Sequence, residues 1–244
     1  MGIVILRKGV SFVVFFKNLN EEPVKTVENI LSGMSSVPEV DFEIIMVRDG
    51  GSRNSYVENF FSDFSLLRVI KLIEYSQSIG LSMLLDQSIK SVEFSHTCLV
   101  PGNNAFTVES FTRIVRDFDT FDAVLGYRAN LAKARPYPKV AANRCLLFLV
   151  RLMFKPELNF IKDLHGLTMY RTKHIARFAS SGHGHGIQIS LIIPIYFSGG
   201  AIIQVPVANN LMRANRRSKY LKLPSIKQVL NVLIDVIRLK KTYP

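Results

Sequence analysis

One pattern constrains this chain more than any other: short apolar runs, rich in β-branched and aromatic residues, alternate with longer stretches of helical periodicity. SFVVFF at 11–16, EIIMVR at 43–48, RVIKLIE at 68–74, HTCLV at 96–100 and DAVLGY at 122–127 read as five strands. Glu22-Pro23 opens a helix after the first of them, since proline is favoured in a first turn. Leu81, Leu84, Leu85, Ile89 and Val92 share one face of a second helix, and residues 107–116 read as a third. Strands joined through helices run parallel, and their sheet is covered on both faces. The expectation is an α/β fold, a Rossmann-like and mostly parallel sheet flanked by helices.

The second half is less regular. Residues 138–154 read as helix, LHGLTMYR (164–171) and AIIQVPV (201–207) as strands, 187–197 as the helix between them, and 225–240 as a final helix. Pro136, Pro138, Pro156 and Pro224 punctuate the joins. A chain of 244 residues suits one domain, or one domain with a tail. The expected division is 1–221 for the domain and 222–244 for an amphipathic C-terminal helix. Hydrophobic residues make up 48% and charged residues 20%, which favours a large buried core over disorder.

The formal net charge of +12 attracts anions: nucleic acid, an acidic membrane leaflet or phosphorylated small molecules. The chain has no recognisable nucleic-acid motif and its basic residues are spread over several elements, so no nucleic acid partner is expected. Cys98 and Cys145 both sit in apolar runs and read as two reduced, buried thiols of a cytosolic protein. The apolar run Val10–Phe16 is too short to span a bilayer and is cut off by Lys17, Asn18, Asn20 and Glu21, so neither a membrane span nor a signal peptide is expected.

In an open parallel sheet, ligands bind beyond the carboxyl ends of the strands. Polar clusters fall at those ends: Asn18–Glu22, Arg48–Ser52 and Pro101–Asn104. Every strand end carries a polar turn, so the identities of the residues matter more than their polarity. SFVVFFKNLNEEP (11–23), EIIMVRDGGSRNS (43–55) and VPVANNLMRANRRSKY (205–220) occur in this order, with FDAVLGYR (121–128) and DLHGLTMYR (163–171) between the last two. In order and spacing the set resembles family 2 glycosyltransferases, most closely the subgroup like the dolichol- and polyprenol-phosphate sugar synthases. Asn20, Glu21 and Glu22 match a strand end that reads Tyr-Asn-Glu-Glu in the family. Asp49 and Gly50 match Asp-Asp-Gly-Ser, with Arg48 replacing the first aspartate. Arg213, Ser218 and Lys219 match a closing Arg-x-x-Gly-x-Ser-Lys segment, with Arg216 at the glycine.

The resemblance implies the GT-A fold and a nucleotide-sugar donor. Asn20, Glu21 and Asp49 would then hold the nucleotide. Gly102, Asn103 and Ser218 would approach the diphosphate or the sugar, and Arg213 and Lys219 would stabilise the leaving group. It implies an acceptor-phosphate site at Arg128, Lys139 and Asn143. Asp163 would be either a general base or the group that orients Arg128. His165, beside it, is a further candidate base or a satisfied turn residue. Family members hold a divalent metal on an Asp-x-Asp pair after the fourth strand, where this chain reads Pro101-Gly102-Asn103-Asn104. Neutral amides bind hard cations poorly, so no metal site is expected, and Mg2+ or Mn2+ would need other ligands. Arginines can instead stabilise a diphosphate electrostatically, and Arg48 and the cluster Arg213, Arg216, Arg217 and Lys219 supply that charge. His183 and His185, flanked by glycines, read as a mobile loop and not as metal ligands.

The final helix carries Ile226, Val229, Leu230, Leu233, Ile234 and Ile237 on one side and Gln228, Asn231, Asp235 and Arg238 on the other. Such a helix can lie in a membrane interface, pack on the domain or pair with a second copy in a homo-oligomer. Lys227, Lys240 and Lys241 favour an anionic leaflet. The expected function is transfer of a sugar from a nucleotide sugar to a lipid-linked (polyprenyl phosphate) or cell-envelope glycan acceptor, with an inverting outcome implied by the resemblance. The expected location is peripheral, at the cytoplasmic face of a membrane. The alternative is a glycosyltransferase-like subunit that binds without turnover.

Overall fold

The computed structural model of the chain describes residues 6–17, 22–50, 69–134, 137–154, 157–178, 186–210 and 226–243. Seven strands form one sheet: β1 (Arg7–Phe16), β2 (Phe42–Asp49), β3 (Ile70–Tyr75), β4 (Phe94–Pro101), β5 (Ala123–Arg128), β6 (Thr168–Arg171) and β7 (Ile202–Val207), in the order β3-β2-β1-β4-β6-β5-β7. The helices are α1 (Pro23–Met34), α2 (Leu81–Ile89), α3 (Val108–Val115), α4 (Leu131–Ala134), α5 (Tyr137–Met153), α6 (Thr172–Phe178), α7 (Ile187–Phe197) and α8 (Ile226–Thr242).

The expected parallel sheet is present, with one exception that matters for the site. β1 pairs in parallel with both β2 and β4, β2 with β3, and β5 with β7, whereas β6 runs antiparallel between β4 and β5. The start of β6 therefore lies at the edge where the parallel strands end. The strand expected over 164–171 begins only at Thr168, because residues 163–167 form the approach to that edge. α4 and α6 were not expected. α6 follows β6 without an intervening turn, and its first residue, Thr172, is buried with Oγ1 donating to the carbonyl of Phe94 at 2.7 Å.

Strand pleating divides the core. Val10, Phe12, Val14 and Phe16 pack with Ile44, Met46 and Cys98 under α1 and α3. The alternate residues Val13, Ile45 and Val47 pack with Leu84 of α2. On that second face, Leu99, Leu125 and Tyr170 meet α5, α7 and α8. α1 fits its place because Pro23 starts it and Val27, Ile30 and Met34 form one buried stripe.

Two side-chain placements differ from the sequence expectation. Cys98 is buried, but Cys145 is exposed. On α5 the core stripe is Leu147, Val150 and the following Phe154, which leaves Cys145, Phe148 and Leu152 on the solvent side. α8 is amphipathic as expected, yet its buried face carries Val232, Asp235, Val236 and Leu239, while Ile234 and Ile237 are exposed. Asp235 faces the glycine that opens α7: a Cβ at Gly186 would lie 2.6 Å from its Oδ2. A carboxylate is stabilised at a helix N-terminus, which explains its inward turn.

His96 of β4 is 1% exposed and packs edge-on against Phe118 at 5.2 Å. Burial, and then the nearby Arg171 cation, lower its pKa to about 4, against small opposing effects of Asp119 and Asp122. The unfolded chain binds this proton near pH 6.5 and the folded protein does not until about 4. Stability contributed by neutral His96 is complete above pH 6.5 and is lost as pH falls from 6.5 to 4, with a slope of up to ~1.4 kcal/mol per pH unit. Urea unfolding across that range should show this slope, and His96→Gln should flatten it.

Candidate active site

The carboxyl edge of the parallel strands gathers Asp49, Gly102, Asn103, Arg128, Asn143, Asp163 and His165. Asp49 ends β2. Its Oδ1 accepts from the backbone N–H of Ile79 at 2.8 Å and of Gly80 at 3.4 Å, and its Oδ2 accepts from Ser78 Oγ at 2.7 Å. Lys17 Nζ lies 4.0 Å away. The 78–80 segment, which precedes α2, is thus wrapped around the carboxylate. Arg48, one residue earlier, is nearly buried and forms an ion pair with Glu74 of β3 at 2.8 Å. The positive charge that the sequence introduces there is compensated within the sheet.

Gly102 follows β4 and donates to the carbonyl of Phe15 at 2.7 Å. A Cβ at this position would lie 2.8 Å from Phe16 Cβ, so glycine is required for the turn to lie against β1. Asn104 has φ 51°, donates its backbone N–H to Thr26 Oγ1 at 2.8 Å, and accepts from Asn29 Nδ2 at 2.8 Å. Its side-chain oxygen is therefore committed to α1. The residues after β4 offer a metal neutral amides and no carboxylate, which does not fit a hard divalent ion. Among the described residues, no group of three His, Cys, Asp or Glu side chains assembles as a ligand set.

The second centre is an ion pair. Arg128, at the end of β5, donates from Nε to Asp163 Oδ2 at 2.6 Å and from Nη2 to Asp163 Oδ1 at 2.8 Å. Both side chains are under a tenth exposed. The backbone N–H groups of Arg128 and His165 donate to the same carboxylate at 3.2 and 3.1 Å, and Asn143 Nδ2 at 3.3 Å. Burial alone would raise the Asp163 pKa, but the Arg128 guanidinium and these N–H donors hold it below the usual carboxylate range.

Two glycines make this pairing geometrically accessible. A Cβ on Gly166 would lie 1.5 Å from the carbonyl oxygen of Gly126, and one on Gly126 would lie 2.7 Å from the carbonyl oxygen of Leu167. The loop before β6 thus presses backbone to backbone on β5. Gly126 N–H donates to Leu167 O at 2.7 Å across the contact. Beside it lies a cavity of about 250 Å³ walled by Phe15, Leu81, Leu85, Leu99, His165 and Gln188. Gln188 Nε2 donates to the Gly166 carbonyl at 3.1 Å, which ties α7 to the loop.

The edge therefore brings together Asp49, Gly102, Asn103, Arg128, Asn143 and Asp163. Asn20, Glu21, Arg213, Arg216, Arg217, Ser218, Lys219, His183 and His185 lie outside the described residues, and of Lys139 only its backbone, in the first turn of α5, is described. The sequence reading missed Gln188 as a support of the site. It also missed Asn130, whose side chain holds the Asn209 backbone on both sides, Nδ2 donating to the Asn209 carbonyl at 2.9 Å and Oδ1 accepting from its N–H at 2.8 Å, tying the segment after β7 to that after β5. No local signal marks these residues, because each acts across the fold.

No protein-family model matches the sequence, and no curated protein is significantly similar to it. Solved structures match by fold. The mannosyltransferase PcManGT from Pyrobaculum calidifontis, in complex with GDP-Man and Mn2+, matches 95% of this chain with a TM-score of 0.65 and 14% identity. This chain spans 65% of that protein's length. S. aureus TarS 1-349 matches 95% of this chain and 80% of its own, with a TM-score of 0.53 and 14% identity. TarS 1-349 in complex with UDP matches 96% of this chain and 64% of its own, at 0.54 and 14%. The fold is GT-A-like.

Truncating one partner of a buried pair leaves an uncompensated charge. Asp163→Ala should lower the unfolding free energy by about 3–5 kcal/mol. The double variant Arg128→Met/Asp163→Leu should recover most of that loss. Urea denaturation of both decides the point: equal loss in the double variant would mean that packing, and not charge, dominates.

Proposed function

We propose that this protein is a glycosyltransferase that moves a sugar from a nucleoside-diphosphate sugar to a lipid-linked or cell-envelope glycan acceptor. The observation that carries the reading is convergence. Segments far apart in sequence, ending β2, β4 and β5 and preceding β6, meet at one edge of a GT-A-like sheet, where open α/β folds bind ligands. GDP-Man and UDP, held by the structural neighbours, suggest the donor class.

In this reading Asn20, Glu21 and Asp49 hold the nucleotide, and Gly102, Asn103 and Ser218 approach the diphosphate and sugar. Arg213 and Lys219 stabilise the departing diphosphate by fixed positive charge, which acts most strongly where water is excluded. Asp163 acts as a positioning residue, since both its oxygens are engaged with Arg128. Arg128, Asn143 and Lys139 border the acceptor. The attack is inverting, by a single displacement. A divalent ion has no ligand set among the described residues, and no step here passes through one.

The location we infer is the cytoplasmic face of a membrane, held peripherally. Phe148 and Leu152 of α5 and Ile234 and Ile237 of α8 are exposed, and Lys241 near the end of α8 is exposed as well. Among the described residues, no helix is long and apolar enough to cross a bilayer.

The deciding experiment titrates UDP-, GDP- and dTDP-sugars against the protein, with Mn2+ and with EDTA, and assays transfer in the same samples. The expected result is one bound donor and transfer that persists in EDTA. Arg213→Ala should lower kcat about 100-fold or more while leaving donor affinity unchanged. Donor binding without transfer would favour the subunit reading, which the amide-only turn after β4 also suits. No binding of any donor would overturn the proposal.

A further inference from the structure

The loop before β6 carries a group that the ion pair does not use. His165 forms part of the cavity wall, and its Nδ1 lies 2.9 Å from Asn143 Oδ1. The surrounding groups decide which atom holds the hydrogen. A guanidinium only donates and an ionised carboxylate only accepts. Arg128 Nη2 approaches one end of the Asn143 amide at 3.3 Å, and Asp163 Oδ1 approaches the other at 3.3 Å. The first end must be the carbonyl oxygen and the second the NH2 group. That same oxygen faces His165, so Nδ1 carries the proton and donates. In the neutral ring the lone pair then resides on Nε2.

We propose that His165 is the general base of this site and that the acceptor is therefore a hydroxyl, on a compound with an apolar portion seated in the adjoining cavity. This rests on the glycosyltransferase reading. The acceptor oxygen bonds to the anomeric carbon while the bond from that carbon to the donor diphosphate breaks, and its electron pair leaves with the diphosphate. The hydroxyl proton passes to Nε2. The resulting imidazolium keeps its Nδ1–H on Asn143 and later returns the extra proton to water.

Three observations favour a hydroxyl over a phosphate acceptor. A phosphate is already ionised and needs no base, whereas a hydroxyl does. Arg128, the described cation that bonds Asn143 beside the ring, is compensated by Asp163 and nearly buried. The cavity wall is hydrocarbon from Phe15, Leu81, Leu85 and Leu99, which suits an alkyl or aryl group and not an anion. Among the described residues, the charged groups that bond His165 or its Asn143 partner include Asp163, which accepts the His165 backbone N–H, and Arg128 behind Asn143. Asn143 is a positioning residue: it sets the tautomer through its oxygen.

Two measurements on the full chain test this. In the first, donor affinity is measured by titration, and transfer is assayed to octyl glycosides and, separately, to a polyprenyl phosphate. Transfer to an octyl glycoside should fall about 100-fold or more in His165→Gln with donor affinity unchanged, and added imidazole should restore part of it in His165→Gly. Transfer to the octyl glycoside that is insensitive to His165→Gln, or transfer to the polyprenyl phosphate alone, would overturn the inference and leave the glycosyltransferase reading intact. Failure to bind any donor would instead remove that reading, and this inference with it. The second measurement needs no substrate. Nitrogen-15 spectra of the imidazole rings should show His165 protonated at Nδ1, and Asn143→Ala should shift the ring towards the Nε2–H form. A wild-type ring protonated at Nε2 would overturn the assignment.

Discussion

The Arg128–Asp163 ion pair is the interaction on which this edge of the sheet depends. A carboxylate and a guanidinium, each under a tenth exposed, are costly to desolvate, and the cost is met only by near-ideal geometry and full hydrogen bonding. Here the carboxylate accepts two bonds from the guanidinium, two backbone N–H groups and one amide. That saturation is available because Gly126 and Gly166 let two backbones approach to a distance at which any side chain would collide. The glycines of the Gly-x-Arg and Asp-x-x-Gly segments thus serve the charges: each sits a few residues from its ionic partner and sets the distance between them.

The antiparallel β6 is what brings the two halves of this pair together. A parallel strand in its place would put the residues that precede it at the opposite edge of the sheet. Because β6 is reversed, residues 163–167 arrive at the same edge as the ends of β1, β2, β4 and β5. Leu99 and Leu125 both align with Thr168, so the loop before Thr168 lies between the ends of β4 and β5. His165 and Gly166 consequently wall the cavity together with Leu99, Val100 and Pro101.

Much of the fold was legible because apolar runs such as SFVVFF and EIIMVR are buried on both faces, a pattern that few other contexts allow. The direction of β6 was not legible, since LTMY has the same periodicity whichever way it runs. α8 shows a second limit. Leu233, Ile234 and Ile237 are as apolar as the residues it buries, and the inward turn of Asp235 is set by the start of α7, 45 or more residues earlier in the chain. Cys145 failed for the same reason: a helix apolar on more than one side takes its orientation from its neighbours. At the site, Asp163, Arg128 and Asn143 were legible only through the family resemblance. Their mutual bonds, and the Asn143 orientation that sets the His165 proton, exist only once the loop meets β5.

The placement of charge at this edge narrows how the proposed reaction could run. Two described arginines near the proposed donor and acceptor positions are each matched, Arg48 by Glu74 and Arg128 by Asp163, while Lys17 lies 4.0 Å from Asp49. Matched charges in a sheet edge shape and stiffen a site but add little net field for a leaving diphosphate. Asp49, likewise, is occupied by the 78–80 segment, so any nucleotide contact it makes uses the lone pairs those bonds leave. Under the proposed reaction, further positive charge would come from the 213–219 segment, which holds Arg213, Arg216, Arg217 and Lys219 within seven residues. The last described residues before that segment, Asn209 and Asn210, are anchored to Asn130 and to Ala105 at the site edge. That makes Arg213→Ala, with donor affinity and turnover measured separately, more informative than any substitution in the matched pairs.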